Sequence, residues 1–291
     1  MAHSTPAPVV HHGDLPHPAA VASLVETAAA HDGVPALNEA ALRALRQAKQ
    51  PDQWWVTADG EPAGEPLAYA ALDAGIGQLV VHPEHRQDGL AEALLAAADI
   101  DSWWAFGDLA DARAVAERLQ MSPVRTLLKL GRPLAEVGPE PIPDGVVIRP
   151  FTPADATTVI EINAAAFAHH PEQGAMDEND FLGRAAEEWF DPAGLLLAVR
   201  EEQVIGFHWT KVHRDGTGEV YVLAVRPDAA GGGIGRALLA AGLDFLRQRG
   251  CTEVILYVEG DQERVVRMYR AAGFETLSTD VVYASAGDDQ E

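Results

Sequence analysis

Two stretches of this chain have the residue types and spacing to hold an anion. Residues 79–97 read LVVHPEHRQDGLAEALLAA, and residues 223–241 read LAVRPDAAGGGIGRALLAA. They align without a gap at an offset of 144, with nine of nineteen positions identical. Each predicts an apolar strand, a proline-marked turn, a glycine-bearing loop and an amphipathic helix. Free backbone N–H groups at a helix N-terminus, approached through glycine, form an anion site. The expected guest is a group such as pyrophosphate. The alternative is a pair of structural turns.

The elements that must carry these loops also repeat. In the first half, patterning predicts a strand near 9–11, helices at 19–31 and 38–49, and strands at 54–57, 67–72 and 77–81. A helix at 90–98, a strand at 102–106, a helix at 111–119 and a strand near 126–130 follow. The second half predicts a strand at 146–150, a helix from Pro153 through Phe167, and a helix at 178–188. Strands at 195–200, 204–213 and 219–225, a helix at 234–249, a strand at 253–258, a helix at 262–272 and a strand at 281–283 complete it. Both halves read β-α-α-β-β-β-α-β-α-β. An antiparallel meander ending in one β-α-β unit makes a mixed sheet with helices on both faces. Between the halves lies Gly138-Pro139-Glu140-Pro141-Ile142-Pro143-Asp144-Gly145. Its prolines forbid helix and central strand and favour an extended spacer. The expected division is 1–137, a linker at 138–145, and 146–291, with a disordered tail from about 285.

Composition narrows the function. The 291 residues suit two domains of ordinary size. The formal net charge is −23, from 21 basic and 44 acidic residues. Nucleic acid and anionic membranes need clustered Lys and Arg, so neither is expected as a partner. Any phosphate site must work by local amides and a few basic side chains against an unfavourable field. No apolar run approaches the roughly 18–20 residues of a membrane span. The N-terminus has no basic region followed by an apolar core, so no secretory signal is expected. The single cysteine, Cys251, excludes an internal disulfide and fits a reducing cytosol. It reads as a small buried residue at a strand start. No metal cluster is expected, and the expected state is a monomer.

The element order, with a glycine loop after the fourth strand, resembles the GNAT superfamily of acyl-CoA N-acyltransferases. That resemblance implies two tandem domains of α/β (α+β) class, each a mixed, mostly antiparallel sheet flanked by helices. The superfamily loop pattern, Q/R-x-x-G-x-G/A, cradles the coenzyme A pyrophosphate. Here the second copy is Ala230-Gly231-Gly232-Gly233-Ile234-Gly235, followed by Arg236. It keeps the glycines and lacks the leading Gln or Arg. The first copy, Arg86-Gln87-Asp88-Gly89-Leu90-Ala91, keeps the Arg but puts Asp88 beside the expected phosphates. The resemblance also implies a bulge in the fourth strand, at Leu223, Ala224 and Val225, whose N–H groups polarise the thioester carbonyl. Glu219 is the expected base for the attacking ammonium, and Tyr269 the expected acid for the leaving thiolate. At the 144 offset Glu219 falls on Gly75. Aligning the last helices through Met121 and Phe274 puts Tyr269 opposite Ala116. The second half therefore reads as catalytic and the first as a retired copy.

Longer strings narrow the resemblance. Phe167-Ala168-His169-His170-Pro171-Glu172-Gln173-Gly174, Glu188-Trp189-Phe190-Asp191-Pro192, the run from Gly206 to His213 and the run from Gly218 to Leu223 are similar to those of the mycothiol synthase family. So is Leu256-Tyr257-Val258-Glu259. This resemblance implies an actinobacterial, cytoplasmic enzyme of mycothiol biosynthesis. It would move acetyl from acetyl-CoA to the cysteinyl amine of 1-D-myo-inositol 2-(L-cysteinylamino)-2-deoxy-α-D-glucopyranoside. The implied acceptor-binding residues are Glu39, Glu172, Lys211, Glu219 and Tyr257. The implied coenzyme positions are Leu223, Ala224 and Val225, the loop Ala230, Gly231, Gly232, Gly233, Ile234, Gly235 and Arg236, and the helix start Gln262, Glu263, Arg264, Val265, Val266 and Arg267. A weaker first-half set is Leu79, Val80, Val81, Gln87, Asp88, Gly89, Leu90, Ala91 and Glu92. The neutral Ala-Gly-Gly loop implies weaker acetyl-CoA affinity than in basic-loop relatives. Two other readings remain: an acetyltransferase for a different amine, and a non-catalytic acyl-CoA sensor.

Overall fold

The computed structural model describes residues 7–47, 52–135, 138, 140–168 and 173–285. In chain order the elements are β1 (Val10–His12), α1 (Pro18–Asp32), α2 (Glu39–Arg46), β2 (Gln53–Thr57), β3 (Pro66–Asp73), β4 (Ile76–Val81), α3 (Leu90–Ala97), β5 (Ser102–Ala105), α4 (Ala110–Arg118) and β6 (Ser122–Pro133). The second series is β7 (Val146–Pro150), α5 (Ala156–Ala166), α6 (Glu178–Ala185), β8 (Leu195–Arg200), β9 (Gln203–Val212), β10 (Gly218–Val225), α7 (Ile234–Gln248), β11 (Glu253–Glu259), α8 (Glu263–Ala271) and β12 (Glu275–Ala284). The predicted order holds throughout.

Two compact units form, and their boundary is not linear. One comprises residues 1–128, 259–261 and 278–291; the other comprises 129–258 and 262–277. A division at 138–145 cannot describe this, because β6 begins in the first unit and ends in the second, while β12 does the reverse. Both strands are longer than their patterns predicted. The added stretches, Ser122–Arg125 and Glu275–Asp280, are largely polar and carry no alternation to read. Ser285, expected to open a disordered tail, donates its N–H to the Asp101 carbonyl at 2.8 Å. Residues 286–291 lie outside the described set, as do 48–51 at the end of the second predicted helix.

In the first unit the strands run β1-β2-β3-β4-β5-β12. The meander is antiparallel, and β4 pairs with β5 in parallel at Gly77–Trp103 and Gln78–Trp104. Alternation along β2 sends Trp54 to a core beneath α3 and α4, and Trp55 to a core beneath α1 and α2. The second unit's strands run β6-β11-β10-β9-β8-β7. Leu195, Leu197, Phe207 and Trp209 pack toward α5 and α6, while Ala198 packs toward Ile234 and Leu238 of α7. Cys251 is buried, as its sequence context predicts.

One buried histidine sits in this second core. His208 is fully buried, and its Nδ1–H donates to the Leu238 carbonyl at 2.9 Å. Gly242 is obligatory beside it, because a Cβ there would overlap the imidazole. Burial pushes the ring's pKa down to about 4, partly offset by the bond to Leu238. The unfolded chain thus binds this proton more readily than the folded one. Stability is expected to fall by up to about 3 kcal/mol as pH drops from 6.5 to 4. Urea titrations across that range check this, and His208→Gln should flatten the slope.

Candidate active site

The site in the second unit begins where two parallel strands part. Strand β10 pairs with β11 at only two positions, Gly218–Val254 and Glu219–Ile255. Val220–Val225 continue without a β11 partner among the described residues. Glu219 is therefore the last residue before the gap. It is 7% exposed, and its Oε2 lies 2.7 Å from Nε2 of His213.

A bulge prepares this corner, but not at Leu223–Val225, where the resemblance put it. Those three residues pair regularly with His208, Phe207 and Gly206 of β9. The irregularity falls between Val220 and Val222, with Tyr221 the extra residue. An inserted residue reverses alternation on one side of it. Tyr221 accordingly packs on the α5–α6 core, while Leu223 and Val225 pack toward α7. Glu219, two residues before Tyr221, shares its face. Lys211 stands across from Glu219 in register, is 9% exposed, and holds its Nζ 5.1 Å from the Trp189 ring and 5.4 Å from the Tyr221 ring. A buried carboxylate, a buried ammonium and two aromatic faces can recognise a polar amine. Trp189, Tyr221 and His213 were quoted in the sequence strings without a role. The Asp215-Gly216 turn is the signal that brings His213 back onto Glu219.

The glycine loop follows β10. Gly231, Gly232 and Gly233 all have left-handed φ values of 104°, 59° and 87°. Gly233 caps α7 and brings no side chain to bond the helix's first N–H groups. A Cβ at Gly231 or Gly232 would meet nothing within 4 Å, so backbone conformation is what selects glycine there. Ala230 and Arg236 are exposed at the loop's ends, and the nearby Asp228 is neutralised by Arg226 at 2.6 Å. The loop fits a phosphate group. Helix α8 starts at Glu263 beside exposed Gln262 and Arg264, and Arg267 bonds Glu263 at 3.1 Å. Val265 is half-buried and Val266 buried beneath them. Tyr269 is 6% exposed and packs edge-on against Phe274 at 5.6 Å. Burial holds its phenol well above the usual range, so at neutral pH it keeps a proton to donate.

Of the remaining expected positions, Tyr257 is 46% exposed on β11. Glu39 opens α2 in the first unit and is exposed. Glu172 lies outside the described residues. Among the described residues no group of three His, Cys, Asp or Glu could hold a metal ion, and no helix is long and apolar enough to cross a membrane.

Known proteins are similar to this chain. The Acetyltransferase (GNAT) family model matches residues 158–274. Mycothiol acetyltransferase of Propionibacterium freudenreichii subsp. shermanii is 45% identical over 277 residues, covering 91% of this chain and 88% of that protein. The chain belongs to the mycothiol acetyltransferase family. The GCN5-related N-acetyltransferase of Sphaerobacter thermophilus superposes over 95% of both chains with a TM-score of 0.73 at 24% identity. A tandem GNAT protein from the clavulanic acid biosynthesis pathway superposes over 97% of this chain and all of its own, with a TM-score of 0.67 at 16% identity. Both likenesses concern the fold.

Within this member of the mycothiol acetyltransferase family, the two units have diverged. The backbone confirms the match between the last helices: Met121 N–H donates to Ala116 O as Phe274 N–H donates to Tyr269 O. No phenol stands at Ala116. Counting back from Val81 and Val225 through the Tyr221 bulge sets Glu219 opposite Ile76, one residue from Gly75. Neither carries a carboxylate. In the first unit Leu79, Val80, Val81, Gln87, Leu90, Ala91 and Glu92 line a cleft of about 100 Å³. Asp88 and Gly89 are not in its wall. Its loop is occupied by its own partners. Arg86 makes a two-pronged bond to Asp32 at 2.6 and 2.8 Å, Gln87 reaches Asp111 at 3.2 Å, and Asp88 approaches His85 at 3.4 Å. Glu92, bound to Arg118 at 2.6 Å, holds the helix position that Arg236 holds in the second unit. Gly232→Asp copies the first unit's Asp88, and Asp tolerates the left-handed backbone. The variant is expected to fold and to bind acetyl-CoA about 10-fold more weakly, as calorimetric titration would show.

Proposed function

We propose that this chain transfers acetyl from acetyl-CoA to the cysteinyl amine of 1-D-myo-inositol 2-(L-cysteinylamino)-2-deoxy-α-D-glucopyranoside, and that the second unit does the chemistry. The observation that carries this reading is Glu219. It is a buried carboxylate at the point where β10 and β11 part, in the same unit as an uncapped glycine loop and a protonated Tyr269. The first unit has neither the carboxylate nor the phenol at the matching positions, and its glycine loop, also uncapped at Gly89, carries Asp88. The relatives' name, mycothiol acetyltransferase, fits this acceptor, and the cluster of Glu219, Lys211, Trp189 and Tyr221 suits a polar, cationic sugar conjugate.

In this mechanism the Gly231–Gly233 loop and the start of α7 hold the coenzyme's pyrophosphate by backbone N–H groups. Leu223–Val225 and Gln262–Arg267 flank the rest of the coenzyme. Glu219 binds the acceptor's ammonium and takes one of its protons. The freed amine nitrogen bonds to the thioester carbonyl carbon, and the carbon–sulfur bond breaks. Tyr269 gives a proton to the departing sulfur, and the nitrogen's remaining excess proton balances that donation. Lys211, Tyr257 and Glu172 bind acceptor hydroxyls. The first unit's cleft is the weaker coenzyme site, because its loop carries Asp88 and its helix start carries Glu92. The proposed enzyme is a monomer of the cytoplasm.

The purified chain should release free coenzyme A thiol from acetyl-CoA only when the cysteinyl acceptor is present. Binding of acetyl-CoA with no thiol release for any amine would instead favour a sensor. Tyr269→Phe should lower kcat by about 10²–10⁴-fold with little change in acetyl-CoA affinity. Glu219→Gln should impair both acceptor KM and kcat. Normal kinetics in either variant would return that residue to a structural role.

A further inference from the structure

The Glu219 carboxylate does not stand alone, and its partner is built in by the backbone. His213 lies immediately after β9. Its N–H donates to the Thr217 carbonyl at 2.8 Å, and its own carbonyl accepts from Gly216 N–H at 2.9 Å. Both main-chain groups of His213 are thus fixed by the β9–β10 turn. Its ring spans an environment boundary. Nε2 reaches the Glu219 carboxylate at 2.7 Å, whose side chain is 10% exposed, while the imidazole itself is 31% exposed. One edge of the ring touches the buried oxygen and the rest meets water.

We propose that His213 is the positioning residue of the acetyl-transfer site, orienting the Glu219 base and making its action depend on the imidazole's own proton. This rests on the reading of Glu219 as the base. The neutral ring donates Nε2–H to Oε2 of Glu219. That bond leaves Oε1 as the carboxylate's acceptor for the incoming ammonium. When the ammonium yields a proton, its N–H bond breaks and an O–H bond forms at Oε1, and the ring keeps its own Nε2–H. When the ring gains a second proton at Nδ1, the pair becomes imidazolium and carboxylate. The carboxylate is then a weaker base, and a fixed cation faces the arriving ammonium. Transfer should therefore switch off as the ring is protonated.

The neighbouring charges fit this division of labour. Lys211 lies across from Glu219 on β9, with its ammonium held over Trp189 and Tyr221. Arg214, beside His213, is exposed and bound to Glu188 at 3.1 Å. Asp215 in the turn is held below the usual carboxylate range, first by the Thr217 N–H and more weakly by His213. Asp215 is fully exposed, so Glu219 is the only buried carboxylate bonded to the ring among the described residues.

Three variants test the proposal. His213→Leu removes the donor and should lower kcat on the order of 10- to 100-fold, the usual weight of a hydrogen bond to a charged group, with KM for acetyl-CoA unchanged. His213→Gln supplies an N–H that does not titrate. It should recover most of kcat at pH 8 and shift the acid limb of the kcat/KM profile to lower pH. Unchanged kcat in His213→Leu overturns the proposal, and so does a parental acid limb in His213→Gln. If His213→Leu fails to fold, the limb in His213→Gln decides. The pair itself is read without turnover: a downfield ring N–H resonance of His213 should be present in the parent and lost in Glu219→Ala. Persistence of that resonance in Glu219→Ala also overturns the proposal. Absence of acetyl transfer by the parent protein, with the resonance behaving as described, would instead sink the reading of the reaction.

Discussion

Parallel pairing between β10 and β11 lasts for two residues, and the second unit's chemistry depends on its stopping there. A parallel ladder that continued would satisfy the backbone of Val220–Val225 and close the sheet. Because it ends at Glu219, six residues of β10 keep backbone groups for something other than β11. The bulge at Tyr221 adds the second half of the device. It sends Glu219 and Tyr221 to the face where Lys211 and Trp189 wait, while Leu223 and Val225 still anchor the strand on α7. The loop that follows then needs three left-handed glycines to turn the chain into α7 with its N-terminus uncapped. Strand parting, bulge and loop follow one another in sequence, so one short segment sets the positions of Glu219, Tyr221 and the glycine loop.

The first unit carries the same architecture with different residues at the matching positions. Its β4 and β5 also part after two pairs, and a cavity remains between apolar walls. Its loop side chains bond to one another and to neighbouring carboxylates. Arg86, which a phosphate would need, is held by Asp32 and touches Asp111. Glu92 stands where a basic residue would help. The buried Gln78, near the end of the β4–β5 pairing, bonds Asn38 and Asp73 and so ties α2 to the sheet. Polar groups here satisfy one another.

Much of this was legible in the chain. The repeat at 144, the element order and the alternation of apolar residues sufficed for the tandem α/β plan. The glycine run and the acidic residue in its counterpart distinguish the two loops. Three things were not legible, each for a physical reason. The Tyr221 bulge is a local count of residues between paired strands, and an ungapped comparison hides it; hence Glu219 was set against Gly75 rather than Ile76. The His213 contact depends on the register of a hairpin, which no periodicity reports. The full lengths of β6 and β12 depend on polar stretches held by pairing rather than by apolar burial, and composition is silent about them.

The exchange of strand ends reaches beyond the folded state. The first unit contains residues 278–285, where Val281–Ala284 pair with Ala105–Ser102 and the Tyr283 hydroxyl donates to Asp108 at 2.8 Å. A ribosome delivers these residues after residues 1–277. The half that is synthesised first therefore waits, with one side of β5 unpaired, until β12 has emerged. Order of synthesis and order of completion run in opposite directions in this molecule. A stop codon that removed β12 would damage the unit that lies farthest from it in the sequence.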